Sequence, residues 1–428
     1  MKVLVVGSGG REHAIIRKLK ENPAVTEVYA LPGNGGIAAD AVCVPIKATD
    51  VPGVVSFAKE KAADLVVVAP DDPLVMGMVD ALNAEGIRAF GPNAAAARIE
   101  GSKVFSKNLM KKYSIPTAEY EVFSDISAAM SYIDSKNRYP VVIKADGLAL
   151  GKGVLICQDR DEAVAALSQM MEDKAFGKSG ETVVVEEFLT GPEVSVLSFT
   201  DGNTVIPMVS SMDHKRALDG DNGLNTGGMG TVAPNPYYTP AIADECMEKI
   251  FLPTISAMKA EGCPFKGCLY FGLMITPDGP KVIEYNCRFG DPETQVVLPL
   301  MESDLLEAME ATIDGNLTAE KVRFSSGSAA CVILASGGYP VKYPTGFEIS
   351  GLGENAQPAD GNAVVYHAGT KLSDGKLVTS GGRVMGVTAT ADTLAQAVEK
   401  AYTASDRIYF QGLHRRNDIG AKALAAAE

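Results

Sequence analysis

Over the first hundred or so residues, apolar runs suited to strands (Val3 to Val6, Glu27 to Leu31, Asp64 to Ala69) alternate with stretches suited to helices, such as Arg11 to Asn22 and Leu74 to Glu85. This alternation constrains the fold more than any other feature. Strands separated by helical crossovers lie side by side in one direction, so it predicts a doubly wound parallel α/β sheet. The first turn, Gly7-Ser8-Gly9-Gly10-Arg11-Glu12-His13, leads from a strand into a helix. It departs from a dinucleotide fingerprint: Glu12 replaces the third glycine, and the second strand ends in Leu31-Pro32-Gly33 without an acid for a ribose. Its N–H groups either receive an anion or simply close a tight turn.

With 428 residues the chain is too long for one ordinary core and suggests about three domains. Its composition, 46% hydrophobic and 21% charged, is that of a globular protein, and no apolar run reaches the roughly eighteen residues a bilayer span needs. The opening run Lys2 to Val6 lacks the separate apolar region and cleavage site of a signal peptide, so the expectation is a cytoplasmic protein with no membrane contact. The seven cysteines are scattered and include no Cys-x-x-Cys pair, which reads as reduced thiols. A net charge of −14 argues against a nucleic-acid partner, because phosphate backbones are bound by basic surfaces. Any anionic substrate must then meet a local basic pocket.

Such a pocket is foreshadowed in a compact α/β segment between about 120 and 188. It reads as a helix near 125–137, a strand Tyr139 to Lys144, a glycine turn, a strand Val154 to Cys157, a helix from Asp159 and a strand Thr182 to Glu186. The second helix carries a capping-box-like Asp159 and Glu162, with Val164, Leu167 and Met171 along one face. Inserted into a larger domain, this piece could act as a lid. Lys144 ends the apolar run Val141-Val142-Ile143, where an unpaired ammonium would be costly to bury. A structural ion pair would satisfy it. So would a polyphosphate, and Lys152 with Gly147, Gly151 and Gly153 follows within nine residues, as close backbone approach to phosphates requires. A Walker A loop is excluded: Gly153 follows Lys152 where Ser or Thr is needed, and Asp146 stands where that motif has glycine.

In the strand around Val282 to Arg288, alternation places Glu284, Asn286 and Arg288 on one face and Ile283, Tyr285 and Cys287 on the other. That face is either the wet side of an edge strand or a set of hard oxygen donors of the kind magnesium takes from protein. The four histidines show no zinc-like spacing. From about Gly327 onward, strands Ala329 to Ala335 and Arg383 to Ala389 and a helix Thr393 to Ala404 suggest a smaller terminal domain.

The glycine hairpin, the hinge-like run Val184 to Glu193 and the Glu284 segment together resemble the ATP-grasp superfamily. Within it the chain resembles the phosphoribosylamine–glycine ligase family essentially end to end, through Gly7 to Ala14, Gly101-Ser102-Lys103, Asp213-His214-Lys215-Arg216, Asn225 to Gly230, Ala335 to Pro340, His367 to Thr370, Ser380 to Val384 and Asp418-Ile419-Gly420. Two stretches depart from the usual pattern. Ala69-Pro70-Asp71 stands where Gly-Pro-Glu is usual, and Gly223-Leu224-Asn225 where Gly-Pro-Asn is usual.

The resemblance implies a multidomain ATP-grasp fold: an N-terminal α/β domain at 1–100, a central domain at 101–120 and 189–326, an inserted lid at 121–188 and a small α+β domain at 327–428. By the same resemblance, Lys103, Lys144, Asp146, Gly147, Gly151 and Lys152 lie at the phosphates of ATP. The Glu186, Glu187 and Leu189 stretch faces the adenine, and Glu193 the ribose. Glu284 and Asn286 hold Mg2+ or Mn2+. Gly9, Gly10, Asp213, Lys215, Arg216, Asn225, Arg288 and Asp291 line the side that takes glycine and 5-phosphoribosylamine. Lys144, Lys152, Arg288, Asp213 and Lys215 are expected to carry catalysis. The implied reaction is ligation through glycyl phosphate, by a monomer or weak homodimer; another ATP-grasp carboxylate–amine ligase or a carboxylase subunit is the alternative.

Overall fold

The computed structural model describes residues 1–148, 153–173, 177–353, 355–359 and 361–427. At the N-terminus five parallel strands lie in the order Val42–Cys43, Glu27–Pro32, Lys2–Gly7, Leu65–Val68, Ala89–Phe90. The chain winds outward from Lys2–Gly7 in both directions, as the sequence alternation predicts. Val3 to Val6 and Leu65 to Val67 are completely buried, and each such side chain contributes about 1.5–3 kcal/mol relative to exposure. One expected element divides. The stretch Leu74 to Glu85 is two helices, Asp71–Val75 and Met78–Ala84, because Gly77 at φ +85° adopts a left-handed conformation between them.

A second sheet is antiparallel, ordered Tyr120–Phe123, Val183–Glu187, Val141–Ala145, Val154–Cys157, and is backed by helices Ile126–Lys136 and Arg160–Leu167. Asp159 caps the second helix by accepting from Glu162 N, but the Glu162 carboxylate turns to Gln158 N, so the box is not closed on the cap residue. The expected apolar face of that helix is also corrected. Val164 is exposed, and the buried side chains are Ala163, Ala166, Leu167 and Met170. The helix passes into a π-turn over Ser168–Glu172, whose wider turn shifts the phase of the buried face.

The central sheet orders Val205–Pro207, Glu193–Asp201, Lys266–Thr276 and Gly279–Asn286, all antiparallel. The last sheet runs Met212–Asp213, Gly230–Ala233, Ser328–Ser336, Arg383–Ala391, Val364–His367, with Leu413–His414 beside Ser328–Ser336 and helix Leu394–Ser405 packed on it. It therefore takes strands from both sides of residue 327. The chain segment carrying Asp213 is in this way built into the same sheet as the C-terminal strands. Among the described residues, no helix is long and apolar enough to cross a membrane.

Candidate active site

A cleft of about 990 Å³ lies among the second sheet, the central sheet and the loop that follows Asp213. Strand Val141–Ala145 delivers Lys144 to it. The ammonium lies 3.0 Å from Glu186 Oε2, on the neighbouring strand, and 3.0 Å from the carbonyl of Ile283, on the central sheet. Lys107, from helix Lys103–Lys112, reaches the same Glu186 oxygen at 3.1 Å, and burial pulls its ammonium down to about 8. Among the described residues Glu186 Oε1 meets no hydrogen-bond partner, and it is shut off from solvent. Lys103 donates to the carbonyl of Gly147 at 2.8 Å, its ammonium lowered by burial and by Lys144. Three lysines thus converge where an anion would offset the cost of crowding them.

Asp146 is placed differently from expectation. Its carboxylate accepts from Ser102 Oγ at 3.0 Å and from Val104 N at 3.1 Å, securing the first turn of helix Lys103–Lys112, and it does not line the cleft. Glu187 faces Lys281 and Glu119 N, while Phe188 and Leu189 continue along the rim. Gly151 and Lys152 lie outside the described residues.

The oxygen row on strand Gly279–Asn286 is present with one change. A bulge opposite Gly272 and Leu273 interrupts the pairing at Ile283, so strict alternation fails there. Ile283 is the extra residue of the bulge, and its carbonyl accepts from Lys144. Lys215 lies 3.4 Å from Glu284 and 3.1 Å from Glu193, holding the Glu284 carboxyl below its ordinary range. Burial works against the charge on Lys215, yet these two carboxylates raise it well above the usual lysine value. The Asn286 amide oxygen accepts from Arg288 Nη2 at 3.2 Å. An ionised carboxylate beside an oriented amide oxygen is a donor set that suits a hard divalent cation.

On the far side, Arg288 also pairs with Glu100, its side chain 8% exposed, at 3.2 Å, and Glu100 accepts from Cys287 N at 2.6 Å. Asp213 and Glu293 both line the cleft. Burial and the charge of Glu293 push the Asp213 carboxyl well above its usual range, and burial raises that of Glu293. Asp291 is instead held low, because Arg383 at 3.2 Å and Arg11 outweigh the effect of burial. Arg216 and Asn225 stand on a separate ribbon of strands Arg216–Leu218 and Asn222–Asn225, and both line the cleft.

The glycine turn is used by the protein itself. Gly9 N donates to Glu12 Oε2 at 2.5 Å, and a Cβ on Gly10 would lie 2.5 Å from Gln295 Nε2. Gly9 and Gly10 are therefore small so that the turn can pack against residues 291–295; it is Arg11 that reaches the cleft. Sequence reasoning missed Lys107, Glu100, Glu293, Arg383 and Arg11. Only Arg11, Glu293 and Arg383 lay in motifs that could have flagged them.

A lid-like antiparallel sheet closing with a central sheet over a lysine cluster and an oxygen row defines a nucleotide-using ligase of the ATP-grasp class. Profiles of the phosphoribosylglycinamide synthetase family match the chain in order: the N domain at 1–100, the ATP-grasp (A) domain at 101–294 and the C domain at 329–422. The phosphoribosylamine–glycine ligase of Caldanaerobacter subterraneus is 48% identical over 421 residues, covering 98% of this chain and 100% of that protein. The trifunctional purine biosynthetic protein adenosine-3 of Gallus gallus is 46% identical over 427 residues, 99% of this chain and 42% of that one. The crystal structure of the Thermotoga maritima phosphoribosylamine–glycine ligase superposes with a TM-score of 0.85 at 34% identity, covering 98% and 100% of the two chains. A Campylobacter jejuni biotin carboxylase shares the fold, with a TM-score of 0.76 at 16% identity over 97% of this chain and 92% of that one. The chain belongs to the phosphoribosylglycinamide synthetase, or phosphoribosylamine–glycine ligase, family.

Proposed function

We propose that this protein joins glycine to 5-phosphoribosylamine at the expense of ATP, giving glycinamide ribonucleotide, ADP and phosphate, a step of purine biosynthesis carried out in the cytoplasm. One observation carries the reading most directly. Lys103 and Lys144, the Glu284 and Asn286 oxygens, and the Asp213, Lys215 and Arg216 segment share one cleft, so a phosphoryl donor and a carboxylate acceptor can meet there.

In the first step a carboxylate oxygen of glycine attacks the γ-phosphorus, and the bond from that phosphorus to the ADP oxygen breaks. Glycyl phosphate results. In the second step the amine of phosphoribosylamine attacks the carbonyl carbon, the carbon–oxygen bond to phosphate breaks and one amine proton is lost, leaving the amide. Lys103 and Lys144, with Lys152, neutralise the phosphates, and Arg288, fixed by Glu100, presents a cation to the acceptor. Phe188 and Leu189 shield the base, and Glu193 faces the sugar. Glu284 and Asn286 would hold Mg2+, or Mn2+, which would supply charge neutralisation for the phosphoryl transfer. Positioning and charge carry catalysis, so a protein nucleophile is not required.

The test is release of ADP from ATP and magnesium in the presence of phosphoribosylamine, with and without glycine. Glycine-dependent ADP release supports the ligase reading. Release driven by bicarbonate and indifferent to glycine would replace it with a carboxylase. Sedimentation at micromolar concentrations tests the accompanying proposal of a monomer or weak homodimer.

A further inference from the structure

The ribbon that carries Arg216 and Asn225 cannot hold its place alone. Its strands have three and four residues, all four of Asn222–Asn225 are exposed, and the register slips between Arg216 and Leu218. A two-stranded ribbon of this size is marginal in water. The structure shows it held from outside, by the segment His414 to Gly420, which includes the Asp418-Ile419-Gly420 motif that the proposed reaction leaves unused.

The segment has two ends. One is anchored in the C-terminal sheet: Ile419 is buried, its N–H donates to Tyr402 Oη at 3.0 Å, and Tyr402 Oη donates to the Arg416 carbonyl at 2.9 Å. Gly420, at φ +84°, lies so close to Val398 that a Cβ would come within 2.8 Å of it. The other end grips the ribbon. Arg416, 1% exposed, donates to Asp221 Oδ1 at 2.8 Å and to the Arg216 carbonyl at 3.2 Å, and is itself oriented by Asp418 through two bonds of 2.7 Å. Asp418 Oδ2 accepts from Gly220 N at 2.8 Å, Asp219 accepts from Asn417 N at 2.8 Å, and His414 Nε2 donates to the Ala217 carbonyl at 2.7 Å. Every residue from Arg216 to Asp221 except Leu218 is bonded to this segment. Asp221 lines the cleft.

We propose that the His414–Gly420 segment is a strut that sets the acceptor-side ribbon, with Arg416 as the positioning residue acting through Arg216 and Asp221. The strut couples the C-terminal sheet to the acceptor half of the cleft and leaves the nucleotide half, built on the other sheets, untouched. This inference rests on the ligase reading for its kinetic consequence, and on geometry alone for its structural one.

Two measurements test it on the full-length enzyme. Arg416→Ala and Arg416→Lys, together with Asp219→Ala at an exposed position that keeps the core intact, are compared for KM towards each substrate and for amide hydrogen exchange. The expected result is a rise of about tenfold to a hundredfold in KM for phosphoribosylamine, or an equal fall in kcat, with KM for ATP within about twofold. Exchange should quicken over 216–225 and stay unchanged over the lid sheet, and Arg416→Lys should recover part of the loss. Unchanged exchange over 216–225 in Asp219→Ala, or equal effects on ATP and acceptor, overturns the strut. If Arg416→Ala does not fold, Asp219→Ala decides. Absence of glycine-dependent turnover in the wild type would instead overturn the ligase reading, while the exchange comparison still decides the strut.

Discussion

The Lys144 ammonium donates to the Ile283 carbonyl at 3.0 Å, a bond that ties strand Val141–Ala145 to the bulge in the strand bearing the oxygen row. The same ammonium pairs with Glu186, so one side chain links strands Val141–Ala145, Val183–Glu187 and Gly279–Asn286. Lys144→Met should therefore lower kcat by about a hundredfold, the usual cost of removing one electrostatic donor. Steady-state kinetics check this, and turnover near wild type would remove Lys144 from the phosphate site.

Glu284 has its carboxyl held low by Lys215 and faces the cleft beside Asn286. Glu284→Gln is expected to abolish most activity with the fold intact, because on the proposed metal-holding role the loss of its charge costs several kcal/mol of charge stabilisation in the transition state. A magnesium titration is the readout; wild-type rates at low magnesium would contradict the assignment.

The buried Glu186 serves two ammoniums, Lys107 and Lys144. Removing it leaves buried positive charge unpaired, so Glu186→Ala should cost about 3–5 kcal/mol of stability. Lys107→Met in the same chain should restore part of that loss. Denaturant unfolding of the two single variants and the double one measures the coupling, and strictly additive effects would mean that the pair is not an interacting unit.

Acid should destabilise the protein through its buried histidines. Burial holds His214 neutral down to about 4 and His367 down to about 3, against an ordinary value of 6.5, and lowers His13 as well. His13 Nδ1 accepts from His367 N at 2.8 Å, so protonation there would set two donors against each other. Because the folded values lie below the unfolded one, the unfolded state binds more protons under acid. Stability is full above pH 6.5 and falls as pH drops through 6.5 toward 4, by about 2 kcal/mol at pH 5 for each of His214 and His367. Denaturant midpoints from pH 8 to 5 provide the check, and a flat profile would refute it.

Oxygen tracing tests the order of bond changes. With oxygen-18 in the glycine carboxylate, attack on the γ-phosphorus carries one labelled oxygen into inorganic phosphate, and the other remains in the amide. ADP is the expected nucleotide product. Label in AMP, or none in phosphate, would exclude the glycyl phosphate route.

What the sequence by itself determined is whatever depends on residues close along the chain. The parallel N-terminal sheet followed from alternating runs, and Lys144 was marked by its position at the end of an apolar strand. Glu284 and Asn286 stood out because they are two apart on one strand. Tertiary structure decided the rest, since it depends on contacts between distant segments. The partner of Lys144 is Glu186, and the second lysine on that carboxylate, Lys107, sits in a helix with no local sign of function. Asp146 proved to secure a helix because Ser102 and Val104 arrive from 44 and 42 residues away. The bulge at Ile283 depends on the facing strand and breaks the period-two reading that its own residues suggest. Arg416 meets Arg216 and Asp221 across 200 and 195 residues, a separation that no local pattern encodes and that only the assembled C-terminal sheet can close.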